Sequence, residues 1–356
     1  MFIGRLQSSY ALERCGTTSS KEEARSDERD GSAGAYMDVI VLAGGFGTRL
    51  RPWTERMPKP LLPILDKSMI EHVVDVLPES QVDRVLIAAG YGVEEMRSHF
   101  AGISLPYDVK IIEETEPLGT GGAIANCREH LSGGTFCVIN GDLITSLRVE
   151  EMLDFHRTNG GIGTISLWEV EDPSRFGVAD YRQENGKIMR FQEKPPIEEA
   201  YSNLINAGTY ILEPEIFELM PNGAHSIERD IYEDLAQTGG LNGFPFDGWF
   251  VDAGTPGSFI EAMKVCISEG KFSSGTVVGD SWFGDSSENL GRVSGSSIGA
   301  FSSVGEGARV SNSAILTEAE IGAGSNLEGC LIGKGAKIPA GTVMNGKIVA
   351  HDSHLE

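Results

Sequence analysis

Positive charge is scarce in this chain: 29 Lys and Arg face 52 Asp and Glu among 356 residues, a formal charge of -23. That balance argues against a general nucleic-acid binder, which needs a basic face, and against an anionic membrane surface. Long apolar runs are also missing. With no stretch of about 18 apolar residues, nothing reads as a membrane span. Cysteine is sparse, and Cys15, Cys127, Cys137, Cys266 and Cys330 form no CxxC pair. An odd, scattered set reads as reduced, mostly buried thiols rather than disulfides or zinc ligands, and the expected location is cytoplasmic. None of the 7 histidines pairs at HxxxH spacing, which leaves a zinc site without support.

Residues 1–36 contain SSKEEARSDERDGSAGA, a run too polar and charged to bury a core, and read as a disordered tail. The tail lacks an apolar h-region, and its acids argue against a mitochondrial presequence. Met37 stands directly before the first apolar run, so an upstream-extended start is an alternative.

Apolar runs at Val39–Leu42, Val85–Ala89, Val109–Ile112, Phe136–Ile139 and Gly163–Val170 read as strands. Between them, Met69–Leu77 and Val149–Asn159 carry helical spacing, the second through Met152, Leu153 and His156. The alternation predicts βαβ units and a Rossmann-like, doubly wound α/β fold over residues 37–272, with a mixed sheet that is largely parallel. In such sheets ligands bind beyond the carboxyl ends of the strands. After Ser273 the pattern changes: Ile298, Val304, Val310, Ile321, Leu327, Ile332 and Ile338 recur at intervals of mostly six among Gly, Ala, Ser and Asn. A Gly/Ser-rich linker would not keep that spacing. Residues 273–356 are therefore expected to form a hexapeptide-repeat parallel β-helix.

Against the acidic background, LAGGFGTRLRPWTERMPKPLLP at Leu42–Pro63 stands out. From Arg49 to Lys67 there are five cations (Arg49, Arg51, Arg56, Lys59, Lys67) and two acids (Glu55, Asp66). A phosphate would be drawn there and repelled elsewhere. The glycines permit a sharp turn and present bare N–H groups. A dinucleotide fingerprint is excluded because its last glycine would fall on Leu50, and a P-loop because no Gly-Lys-Ser/Thr follows. Two further carboxylates end apolar runs, Asp142 after FCVING and Asp252 after WFV. Each taken alone suits a helix cap or turn, and together they suit Mg²⁺.

The GGxGTRL loop at Gly44–Leu50 with its Pro58-Lys59-Pro60 lysine resembles the sugar-1-phosphate nucleotidylyltransferases, and the likeness runs from Met37 to the end of the chain. Arg190–Pro196 has the form of that family's EKP motif, and Glu113–Gly122 that of its base-reading loop. The resemblance implies a nucleotidyltransferase fold followed by a left-handed β-helix that supports a homo-oligomer. It implies that Leu42, Ala43, Gly44, Gly45, Gly47, Thr48, Arg49, Lys59, Glu114, Gly119, Thr120 and Gly141 hold a nucleoside triphosphate. Gly177, Glu193, Lys194 and Asn206 would hold a sugar 1-phosphate, Asp142 and Asp252 would hold Mg²⁺, and Arg49, Lys59 and Lys194 would carry the catalysis.

Glu114 offers an ionised acceptor pair for the adjacent N1–H and N2–H donors of guanine, which favours GTP. Within the family, GTISLWEVEDPSRFGV, NAGTYIL and Ser226–Ile231 resemble the mannose-1-phosphate guanylyltransferase branch. PLGTGGAI is shared with heptose-phosphate and some glucose-phosphate enzymes, so those sugars, and thymidylyl or uridylyl transfer, stay as alternatives. A catalytically silent scaffold of the same fold is a further one. An acetyl-transferring β-helix is a weaker rival, because the C-terminal His351 and His354 lie in the last few residues.

Overall fold

The computed structural model describes residues 36–355. Apart from exposed Tyr36, the expected tail lies outside the described residues.

Apart from a two-residue ribbon of Pro63–Ile64 with Lys67–Ser68, the strands of the first region are β1 (Met37–Leu42), β2 (Val82–Ala89), β3 (Asp108–Glu113), β4 (Phe136–Asn140), β5 (Leu143–Thr145), β6 (Gly163–Glu169), β7 (Gly177–Arg182), β8 (Lys187–Glu193), β9 (Leu204–Leu212), β10 (Leu241–Pro245) and β11 (Phe250–Asp252). Nine of them form one mixed sheet in the order β3-β2-β1-β4-β9-β6-β10-β8-β7, and β5 pairs with β11 in a separate ribbon. β1 runs parallel to both β2 and β4, and its residues Val39, Ile40 and Val41 are fully buried between two apolar layers. Burial on both faces explains the unbroken apolar runs.

The helices are α1 (Met69–Val74), α2 (Val93–Gly102), α3 (Gly119–Asn126), α4 (Val149–Asn159), α5 (Glu233–Gln237) and α6 (Pro256–Ser268). α4 spans the predicted residues and buries Val149, Met152, Leu153 and His156. α1 stops at Val74, short of the predicted Leu77. Pro78 disfavours helical backbone at Leu77, so the last apolar residues finish the chain as a turn.

From Ser281 onward the chain coils in a parallel β-helix with three faces. On one face Ser297 pairs with Ala314, Ala314 with Leu331 and Leu331 with Ile348, so a full coil takes 17 residues. The buried Ile298, Val304, Val310 and Ile315 stand six, six and five residues apart, and the single short step accounts for the imperfect hexad. One corner repeats left-handed backbone at Phe301, Glu318, Gly335 and Asp352, with φ of 58, 64, 67 and 53°. Three of the four are not glycine, so that corner left no compositional trace.

Leu50, Trp53 and Met69 of the first region share one apolar cluster with Phe259 and Met263 of α6 and with Trp282, Leu316 and Leu331 of the coils. The β-helix is thus bonded to the α/β region through a common core. Because Ile315 is buried against its neighbours above and below, Ile315→Ala is expected to cost about 2–5 kcal/mol of unfolding free energy. Urea unfolding of the full chain measures it.

Candidate active site

β1 ends at Leu42, and the chain then turns through Ala43–Gly47 beyond the carboxyl ends of the parallel strands. Gly47 has φ 60°, and a Cβ there would stand 2.9 Å from both Lys59 Cβ and Thr54 Cγ2. No other residue satisfies both the backbone and the space. Thr54 Oγ1 donates to the Gly47 carbonyl (3.0 Å), which ties the glycine loop to the following turn. Arg49 stands exposed in the turn Thr48–Leu50, Thr54 belongs to the next turn, Trp53–Glu55, and a third, Lys59–Leu61, buries Lys59 and ion-pairs its ammonium with Asp142.

Glu114 follows β3 on the first edge of the sheet. Its carboxylate covers Gly44 so closely that a Cβ on that glycine would lie 2.7 Å from Oε1. Glu114 is 8% exposed, and this burial raises its pKa above the ordinary 4.5 although the Leu118 N–H donates to it.

Asp142 and Asp252 come together through the β5–β11 ribbon, in which Asp252 pairs with Leu143 and the Ala253 N–H donates to the Asp142 carbonyl (3.0 Å). Burial raises the Asp252 pKa and the neighbouring Asp142 charge raises it further, while Lys59 and Arg49 pull it down. Asp252 Oδ1 is buried without a hydrogen-bond partner. An orphaned buried carboxylate oxygen beside a second carboxylate fits a hard divalent cation. Among the described residues no group of three or more His, Cys, Asp or Glu could hold a metal. Two protein carboxylates suit Mg²⁺, which completes its shell with water and phosphate.

The other wall comes from the β7–β8 hairpin and from β9. Glu193 pairs with Gly177 across the hairpin, the Lys194 N–H donates to the Phe176 carbonyl (2.9 Å), and Lys194 ion-pairs with Glu193 (2.8 Å). Lys194 takes φ 51°, sparsely populated for a side-chain-bearing residue and concentrated at functional sites. On β9 the pairing with β6 slips between Asn206 and Tyr210, which bulges Ala207-Gly208-Thr209 out of register directly after Asn206. Asn206 Oδ1 accepts from the Gly208 N–H (2.9 Å) and Nδ2 donates to Tyr210 Oη (2.9 Å). Tyr210 in turn donates to buried Glu228 (3.3 Å), which also accepts from Thr120 (2.5 Å) and Ser226 (2.7 Å).

Every site residue named from the sequence lines one cleft of about 740 Å³. Arg51, Arg56 and Lys67 do not line it, and Arg56 and Lys67 pair instead with Asp352 and Asp75. The sequence reading missed Arg175, Tyr210, Glu228, Arg229 and Gly254, which also line the cleft. Glu228 and Arg229 sit in a π-helical turn, Glu228–Tyr232. The Ser226–Ile231 motif was the available signal, but composition does not reveal a π turn.

A strand-end glycine loop, a paired set of carboxylates and clustered cations define a class that acts on phosphates. Residues 38–269 match the nucleotidyl transferase family, and the chain belongs to it. It is 37% identical over 235 residues to a mannose-1-phosphate guanylyltransferase catalytic subunit beta of Dictyostelium discoideum, and 36% identical over 236 residues to mannose-1-phosphate guanylyltransferase 1 of Arabidopsis thaliana. Both alignments cover 65% of this chain, and the chain spans 65% of the length of these curated relatives. Among solved structures, one from Bacillus anthracis assigned as a glucose-1-phosphate thymidylyltransferase is 30% identical, with a TM-score of 0.59 over 64% of this chain and 94% of that one. Members of the family generally use a divalent metal.

A Cβ on Gly254 would lie 2.7 Å from Asp252 Oδ1, 3.0 Å from Arg49 Nη2 and 3.2 Å from Lys59 Nζ. Gly254→Ala is therefore expected to displace charged groups while sparing the fold, lowering the transfer proposed for this cleft on the order of 10²-fold with little change in Tm. Asp142→Asn is expected to lose at least as much. Steady-state rates beside thermal melts check both, and wild-type turnover in Asp142→Asn would remove this aspartate from the site.

Proposed function

We propose that the protein transfers a guanylyl group from GTP to mannose 1-phosphate, giving GDP-mannose and pyrophosphate. The observation that carries this reading is one cleft whose walls come from both edges of the sheet: Glu114 after β3, and Glu193-Lys194 at the end of β8, with Arg49, Lys59 and the aspartate pair also lining it. The names of the relatives support the choice of base and sugar.

In this reading Gly44 and Gly45 offer backbone N–H groups to the nucleotide and Glu114 accepts from the guanine edge. Glu193 and Asn206 accept from sugar hydroxyls, and Lys194 holds the sugar phosphate. No side-chain nucleophile is required, because the sugar phosphate is already an anion at neutral pH. One of its oxygens attacks the α-phosphorus in line, the bond to the bridging oxygen breaks, and pyrophosphate leaves with that electron pair. Arg49 and Lys59 neutralise charge on the triphosphate and the departing pyrophosphate, so positioning and electrostatics supply the rate. Asp142 and Asp252 would hold Mg²⁺, which supplies positive charge for the phosphates when bound. We place the enzyme in the cytoplasm as a homo-oligomer. Cys127, Cys137 and Cys266 are buried, and burial pushes each thiol up to about 12, as expected of thiols that stay reduced and inert.

The test is pyrophosphate release across GTP, ATP, UTP and dTTP with mannose, glucose and heptose 1-phosphates. Highest kcat/KM is expected for GTP with mannose 1-phosphate, and activity confined to UTP or dTTP would overturn the guanine reading. Glu114→Gln is expected to lower kcat/KM for GTP by about 10- to 100-fold, the worth of one charge-assisted hydrogen bond. Because burial raises the Glu114 pKa, the ionised acceptor is lost as pH falls through a value above 4.5. KM for GTP should accordingly rise on the acid side in wild type and lose that dependence in Glu114→Gln.

A further inference from the structure

The segment between Arg49 and Lys59 is gripped from the far end of the chain. Trp53 is fully buried, and its Nε1–H donates to the Val349 carbonyl (2.9 Å) across 296 residues of sequence. One aromatic contact of the indole is a stack with the His351 ring, with centroids 5.8 Å apart and planes 24° from parallel. The other is an edge contact with Phe259 of α6 at 5.5 Å and 83°. His351 is 6% exposed and is held in turn by the Lys334 N–H, which donates to Nδ1 (3.0 Å) from the preceding coil. Arg56 closes the contact from outside, through Asp352 (3.2 Å) and the His351 carbonyl (3.5 Å).

These contacts lead toward the cleft by covalent and hydrogen-bonded steps. Trp53 and Thr54 are consecutive in one short turn, and Thr54 Oγ1 donates to the Gly47 carbonyl. Gly47 lies against Lys59, whose ammonium pairs with Asp142. The glycine turn and both cations therefore rest on a short segment whose buried anchor is Trp53, and two of the groups seating that anchor belong to the final coil. An exposed pair such as Arg56–Asp352 adds little on its own, so the indole carries the grip.

We propose that the last coil of the β-helix, through Val349 and His351, is a positioning element for the phosphate-side loop, acting by way of Trp53. The β-helix is then part of the apparatus that aims Arg49 and Lys59, in addition to any part it has in assembly. The kinetic part of this inference rests on the transfer reaction proposed above. The structural part does not.

The experiment uses the full chain with Trp53→Phe, which keeps an aromatic ring but removes the N–H donor, and with His351→Ala, which removes the stacked ring. Each is expected to lower turnover about tenfold and to raise KM for the nucleotide, because small misplacements of reacting groups have large effects on rate. KM for the sugar phosphate should stay within about twofold, because Glu193, Lys194 and Asn206 lie on other elements. Amide hydrogen exchange should quicken in peptides covering 44–61 and stay at wild-type rates in those covering 187–212. His351→Phe, which restores a ring to stack on, is expected to recover most of the loss. Wild-type turnover and wild-type exchange over 44–61 in Trp53→Phe and His351→Ala, even with a lowered Tm, would overturn the proposal. So would equal losses in His351→Phe and His351→Ala. If the wild-type chain transfers no nucleotide in the substrate panel, the functional reading fails, while hydrogen exchange still decides this inference.

Discussion

The cleft is organised around an ammonium that has almost no water to solvate it. Lys59 is 9% exposed, and a charge so placed is tolerated only with a partner, which Asp142 provides. The pair does more than offset its own desolvation. Asp142 and Asp252 are brought side by side by the β5–β11 ribbon, and burial first, then repulsion from the Asp142 charge, raises the pKa of Asp252. Lys59 and Arg49 oppose that repulsion. Two carboxylates and two cations therefore form one balanced cluster, and the proposed polyphosphate with its divalent cation would bring charges of both signs to it.

Holding such a cluster requires rigid supports, and the fold supplies them from distant parts of the chain. Asp142 follows a central parallel strand, whereas Asp252 directly precedes α6, whose first turn carries a capping box from Thr255 and Ser258 with Pro256 at the first helical position. α6 also contributes Phe259 and Met263 to the core shared with the β-helix. Strand ends, helix start and coils are thus tied by the same apolar cluster, and the loop bearing Arg49 and Lys59 lies against it through Leu50 and Trp53.

Much of this was legible in the chain because the physics involved is local. Buried strands such as Val39–Leu42 announce themselves as apolar runs, and α4 by its period. The Leu42–Pro63 loop announces itself as positive charge in an acidic background. Other features had no local signature. The slip between Asn206 and Tyr210 depends on the pairing of β9 with β6, and the π turn at Glu228 on packing around it. The 17-residue coil was partly hidden because one step in three is five residues, and Ile315 dropped out of a strict count of sixes. Trp53 carries no local signal of its role, since its partners Val349 and His351 lie almost 300 positions away.

Residue order alone indicated the main strands and helices, the change from sheet to coil along the chain, and the charged groups proposed to meet a phosphate. Hydrophobic period and turn chemistry are properties of neighbouring residues and need no fold to be read. The resemblance singled out Arg49 and Lys59 among five local cations, and only the tertiary structure supplied the reason: those two line the cleft, while Arg56 and Lys67 are drawn to Asp352 and Asp75. The same holds for the union of Asp142 with Asp252 and for the seat of Trp53. Electrostatic and packing partners are chosen by distance in space, and chain order does not encode that distance until the sheet and the coils have closed.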